Sequence, residues 1–401
     1  MFKLFGVIGL RERNYGIDLF KMFAMYLVCV LHVLGQGGVV VNTEKLSVNY
    51  MVAWAVTLFA YISVDCFALT SGYVSYKSKF KPRRIIELYL IVLFYGVVFL
   101  ILFSVLNKEN FSLNNVLLTV FPSLNKTNQL YYWYFTAYLI LFMLSPFINY
   151  IINAFDRKKL AYLLLILLVM FSVVPAFMQT DYFHTTSGYS YLWIITLYFL
   201  GAFLKKYDVF RKIKSYKLFL LLCASVAFTV CGHIMVNIYY SKYSNIDIES
   251  QSLVLSNQYG IYSNFLKPSM FANYTFPTTV ISSVLLMGLF SKIRIKSTFL
   301  QNKIVSFIPL VFSVYIIHTN KFIFEQVIAG LFEGYAELNP VLLALAVLGT
   351  ALAIFVICIM IDMLRFELFK LLKVDKLCLF IENKLIKLWN IIFEKKSGDI
   401  K

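Results

Sequence analysis

Apolar residues run along this chain in long blocks. Short stretches rich in Lys, Arg, Asn and Ser separate them. A membrane-crossing helix needs about 20 predominantly apolar residues. Ten blocks meet that length or come close: 16–36, 50–74, 85–106, 130–152, 160–178, 190–205, 217–239, 274–291, 304–330 and 340–369. The pattern predicts an all-α, polytopic transmembrane helical bundle of about ten spans. It divides the chain into a membrane domain over 1–372 and a basic tail over 373–401. In the tail, Leu377, Phe380, Ile381, Leu385, Leu388 and Ile391 recur at spacings of three and four, the pattern of an amphipathic helix lying on a membrane surface. No internal repeat is visible.

Composition supports the membrane reading. Of 401 residues, 60% are hydrophobic and 14% charged, with mean hydropathy +0.77. That is too little polar surface to cover a soluble domain of this size. A net charge of +17 would point to nucleic acid in a soluble chain. Here the cations follow the spans instead. With the N-terminus inside, the inner segments hold 30 Lys and Arg, nine of them from Arg365 onward, and the outer segments hold 5. This is a strong positive-inside bias, and an even number of spans places both termini in the cytoplasm. The six cysteines show no CxxC or Cys/His ligand spacing, so neither a disulfide framework nor a zinc site is indicated. The N-terminus lacks a small-residue cleavage site after a hydrophobic core and reads as a short cytoplasmic lead-in. The outer segment 240–273, rich in Ser, Asn, Tyr and Gln, suits either a sugar-like ligand or plain solvation.

Ionisable groups within the spans are few, and such groups usually face a protein or water cavity. Lys21 lies near the inner boundary, where it either snorkels to the headgroups or binds an anion. His32 stands ~25 Å up the same helix. There it is either a hydrogen-bonded packing residue or a proton-transfer group. Asp65 sits in the inner half of the second span, and Arg83 and Arg84 open the third at the cytoplasmic face. His318 is expected mid-helix in the ninth span at ~20 Å, near the level of His32, with Lys321 one turn further out. His184 and His233 fall near outer helix ends, where a water-facing role is expected. Buried polar residues of this kind mark either a reaction centre or a transport path.

Together these residues resemble the acyltransferase-3 family of integral membrane O-acyltransferases, notably those that modify bacterial surface polysaccharides. "GIDLFKMFAMYLVCVLH" supplies Asp18, Lys21 and His32 at the places of the family's first motif, and "SVDCFALTSGY" supplies Asp65, Phe67, Ser71, Gly72 and Tyr73 for the second. The pair Arg83–Arg84, the Trp-bearing "YWYFTAYLILFMLSPF" and the late "FSVYIIHTNKF" follow in the family's order. The sequence departs from the pattern at Lys21, where Arg is usual, and at Glu87, where a further Arg is common. The resemblance implies transfer of an acyl group, most often acetyl, from cytoplasmic acyl-CoA to a hydroxyl of a surface or lipid-linked glycan. It implies His32, Asp65 and His318 as catalytic residues and Lys21, Arg83 and Arg84 as the donor site, with no metal. The expected partners are acyl-CoA, the glycan acceptor and membrane lipid, and not nucleic acid. The rival classes are a transporter or flippase of glycan precursors and an inactive relative that acts as a binding partner.

Overall fold

The computed structural model describes residues 13–122, 132–178, 180–243 and 268–393. These are mostly helical, and no strand occurs among them. Eight helical stretches are long and apolar enough to cross a membrane: 15–42, 48–75, 82–106, 133–154, 157–178, 215–239, 298–318 and 340–371. Two shorter helices, Tyr191–Lys206 and Pro277–Ser291, occupy the remaining predicted blocks. Most of the polar segment 240–273 lies outside the described residues, as does the end of the tail.

We label the helices in chain order: α1 (Tyr15–Leu34), α2 (Val48–Ala60), α3 (Ile62–Ser75), α4 (Pro82–Leu106), α5 (Leu113–Val120), α6 (Trp133–Ala154), α7 (Arg157–Leu168, extended by a π-turn to Met178), α8 (Tyr191–Lys206), α9 (Ser215–Tyr243), α10 (Pro277–Ser291), α11 (Thr298–Phe307), α12 (Val311–His318), α13 (Pro340–Leu371) and α14 (Val374–Phe393). The second predicted span is two helices, α2 and α3, meeting at Tyr61. The most apolar windows of 15–42 and 48–75 are 61% and 67% buried, against 22% for those of α7 and α9. The first pair therefore forms the centre of the bundle, while α7 and α9 turn most of their apolar surface outward, as lipid contact requires.

A very close approach in the core joins α3 and α8. A Cβ on Gly72 would sit 1.9 Å from the Tyr198 carbonyl oxygen, and one on Gly201 would sit 1.9 Å from that of Leu69. Each glycine admits the other helix's backbone, the small-residue packing that membrane helices use where lipid removes the hydrophobic drive to associate. At the base of α1, Asn14 accepts hydrogen bonds from the Gly16 and Ile17 amides and donates to the Ser291 carbonyl at 2.8 Å. One side chain thereby caps α1 and ties it to the end of α10.

The ninth predicted block departs from expectation. It is not one helix over 304–330: α12 stops at His318, and the chain breaks at Thr319 and Asn320. The Asn320 side chain accepts from the Phe322 amide and starts a short helical turn that passes into a π-turn over Phe324–Ile328. His318 is therefore a helix-terminal residue. The segment beyond it folds over the end of α1, where the Gly330 and Phe332 amides donate to the carbonyls of Gln36 and Gly37.

Two further expectations are corrected. Arg365, counted from sequence among the inner-side cations, lies inside the bundle at 5% exposure. Its guanidinium is bidentate with Asp362 at 2.7 Å twice, and the Tyr95 hydroxyl donates to the same carboxylate at 2.7 Å. His233 does not face water: it is buried against the Trp54 ring with centroids 4.2 Å apart. The tail does form a helix, α14, which docks on α4 through the Glu382 carboxylate on the Arg83 amide at 3.2 Å. Cys378 is buried in that contact, and burial together with nearby Glu87 pushes its thiol upward, keeping it protonated as a packing group.

Candidate functional site

The two intramembrane histidines meet. His32 lies in the last turn of α1 and His318 ends α12. The Nδ1 of His32 is 2.8 Å from the Nε2 of His318, with ring centroids 5.0 Å apart. The other nitrogen of His318, Nδ1, bonds the Val314 carbonyl oxygen one turn back. A carbonyl only accepts, so His318 Nδ1 carries a proton. Among the described residues no carboxylate lies within ion-pair distance of either ring, so both imidazoles are assigned as neutral. His318 Nε2 is then an acceptor, His32 Nδ1 is its donor, and His32 Nε2 is left with an unshared lone pair. The arrangement orders one imidazole through another, as base-plus-orienter pairs do.

Local structure fixes this geometry. Phe324 packs edge-on against His32 at 5.1 Å, and Gln36 holds the Phe324 carbonyl with a 3.1 Å hydrogen bond. The break after His318 is what allows Phe324 to return to α1. Both rings also stand at helix C-termini, where the partial negative charge of unpaired carbonyls favours a cation by about 0.3–1 kcal/mol each. A proton taken by His32 would be stabilised there.

Asp65 is fully buried, and its Oδ1 accepts from the Trp193 indole N–H at 3.1 Å. Its Oδ2 has no hydrogen-bond partner among the described residues. No hydrogen bond joins Asp65 to either histidine, so the structure brings two of the three expected catalytic residues into direct contact and places the third against α8.

The expected donor residues gather at the opposite, cation-rich end of α1, ~16 Å from His32 along the helix. Lys21 is 3.9 Å from Asp18, which also takes a 2.6 Å ion pair from Arg13. Lys21 lies within electrostatic reach of Arg84 and Arg13. Arg84 is exposed and makes no salt bridge among the described residues. Arg83 differs: its Nε is bound to Glu87 at 2.6 Å. Glu87, a departure from the family pattern, thus neutralises one member of the basic pair and leaves the other open. Arg13, not singled out from sequence, completes the cluster. Its signal was a basic residue five positions before Asp18, just ahead of the helix.

A family model described as an acyltransferase domain, that of acyltransferase-3, matches residues 14–361. The chain belongs to this family of membrane acyltransferases. No curated protein and no solved structure matches it. The match begins at the α1 cap and ends within α13 at the residue before Asp362, so the histidine pair, Lys21, Arg83 and Arg84 lie within it and Arg13 just ahead of it.

Proposed function

We propose that the protein is a cytoplasmic-membrane O-acyltransferase that carries an acyl group, most often acetyl, from acyl-CoA to a hydroxyl of a cell-surface polysaccharide or lipid-linked glycan. The observation that carries the proposal is the His32–His318 contact, with its ordered tautomers and the open Nε2 of His32.

In this reading Lys21 and Arg84 receive the phosphates of acyl-CoA on the cytoplasmic side, with Arg13 beside them held by Asp18. Basic side chains bind phosphate with charge-assisted hydrogen bonds. The thin pantetheine arm runs up the bundle beside α1 and delivers the thioester near His32. An alcohol is a poor nucleophile near neutral pH. His32 Nε2 removes its proton as the oxygen attacks the thioester carbonyl. The C–S bond breaks, and the thiolate leaves and takes up a proton, regenerating neutral His32. His318 positions the base by accepting from His32 Nδ1–H. Asp65, with one carboxylate oxygen unpartnered, completes the polar interior beside α8. A covalent acyl-His32 intermediate uses the same atom and the same orientation.

The test is purified protein in nanodiscs, acyl-CoA and candidate glycans, with free thiol and acylated glycan measured together. Equimolar, glycan-dependent release supports the reading. Transbilayer movement of a glycan lipid without acyl-CoA consumption contradicts it.

A further inference from the structure

The first segment after the histidine pair carries a cation with no counterion among the described residues. Lys321 lies three residues beyond His318 and three before Phe324, the ring packed on His32. It is half-buried, and its one hydrogen bond among the described residues is to the Asn115 side-chain oxygen at 3.1 Å. Among the described residues no carboxylate pairs with it; Glu325, one turn on, makes no salt bridge to it. Asn115 is an amide whose nitrogen already donates to the Asn110 carbonyl at 2.8 Å, so it offers Lys321 a dipole and no charge.

Lys321 lines a half-open cavity of about 40 Å³, with Gly96, Asn115, Thr119, Tyr132 and Asn320 among its walls. These walls come from α4, α5, the start of α6 and the turn after α12, and they are held by hydrogen bonds. The Tyr132 hydroxyl donates to the Ile316 carbonyl at 2.9 Å and accepts from the Asn320 amide at 3.0 Å. Gln326 reaches Asn110 at 3.0 Å, so the whole post-histidine segment is fastened to the 108–120 stretch. The hydroxyl is engaged within the protein, and each amide nitrogen gives one of its two protons to a protein partner. The charged donors left over are those of the Lys321 ammonium, which has three protons and one partner among the described residues. A partly desolvated cation with spare donors and no anion of its own is an oxyanion site.

Resting on the acyltransferase reading, we propose that this cavity is an acceptor subsite that holds an acidic group, a phosphate or carboxylate, carried by the glycan close to the hydroxyl that is acylated. Its place decides the role. It adjoins the His318 end of the bundle, opposite the basic cluster at the foot of α1, so it does not overlap the donor's phosphates. An anchored anion there sets the register of the acceptor against His32, and acidic glycans are selected over neutral ones.

The same chemistry describes an anionic lipid headgroup, and the test separates the two. The parent, Lys321→Gln and Lys321→Arg are reconstituted in phosphatidylcholine nanodiscs and checked for monodispersity. The Gln side chain keeps a donor for Asn115 and removes the charge. Each is given a hexose 1-phosphate and the matched methyl hexoside, and both equilibrium binding and acyl transfer at saturating acyl-CoA are measured. Expected is a preference for the phosphorylated sugar that collapses about ten- to a hundredfold in Lys321→Gln and is largely kept in Lys321→Arg. Equal preference in parent and Lys321→Gln overturns the subsite. Lys321-dependent binding of the sugar phosphate without any acyl transfer retains the subsite and removes the acyltransferase reading. Repeating the binding in phosphatidylglycerol nanodiscs completes the test: Lys321-dependent displacement of the sugar phosphate by that lipid overturns the acceptor assignment in favour of a headgroup.

Discussion

Arg365 and Asp362 face each other three residues apart on α13, joined by two 2.7 Å contacts and almost wholly shielded from solvent. Removing one partner leaves an uncompensated buried charge, which costs about 3–5 kcal/mol. Asp362→Ala is therefore expected to lower the thermal midpoint of the purified protein sharply. The double replacement Asp362→Leu/Arg365→Met is expected to recover most of the loss. A single variant as stable as the parent would show that the pair is solvated.

Gly72 and Gly201 set the distance between α3 and α8. A methyl group at Gly72 meets backbone, the Tyr198 carbonyl, which cannot rotate away. Overpacking of this kind costs about 1–3 kcal/mol. Gly72→Ala is expected to reduce thermal stability by that amount. Gly349, which has open space around its Cβ position, is the control and is expected to tolerate Ala.

The donor site predicts a charge requirement at the foot of α1. Lys21→Ala and Arg84→Ala are each expected to weaken acyl-CoA binding about ten- to a hundredfold, the value of one charge-assisted contact of roughly 1.5–3 kcal/mol. Arg83→Ala is expected to matter less, because Glu87 already holds that guanidinium. Isothermal titration with acyl-CoA reads all three. Equal losses at Arg83 and Arg84 would contradict the assignment.

The cation bias predicts the orientation. In a background without native cysteines, a cysteine at Glu44 is expected to react with an impermeant reagent added outside intact cells, and one at Ser78 only after permeabilisation; both positions are exposed. The reverse pattern would move the donor cluster to the wrong side of the membrane.

Much of this was legible in the sequence, for physical reasons. Span-length apolar blocks need no tertiary context, and helical rise alone put His32 and His318 at similar heights. The break after His318 was not legible, because "IIHTNKFIFEQVIAGLF" is apolar enough to read as continuous helix. It is set by one side-chain cap at Asn320 and a π-turn. The Asp362–Arg365 pair was hidden at the end of a long span, where a basic residue reads as an interfacial cation. The missed signal was an acidic residue three positions before it, within side-chain reach on the same helix face. The placing of Asp65 against Trp193 depends on how α3 crosses α8, which no local pattern records.

The central claim is that His32 Nε2 removes the acceptor's proton while His318 orders the ring. The most direct measurement is turnover per correctly folded molecule for His32→Asn and His318→Asn in nanodiscs, with acyl-CoA binding measured alongside. His32→Asn is expected to keep donor affinity and lose at least about 10²-fold in turnover, the scale of a lost acid–base group. His318→Asn is expected to lose less, because the base survives without its orienting partner. If His32→Asn folds, binds acyl-CoA and turns over as fast as the parent, the histidine pair is a packing contact and the account is wrong.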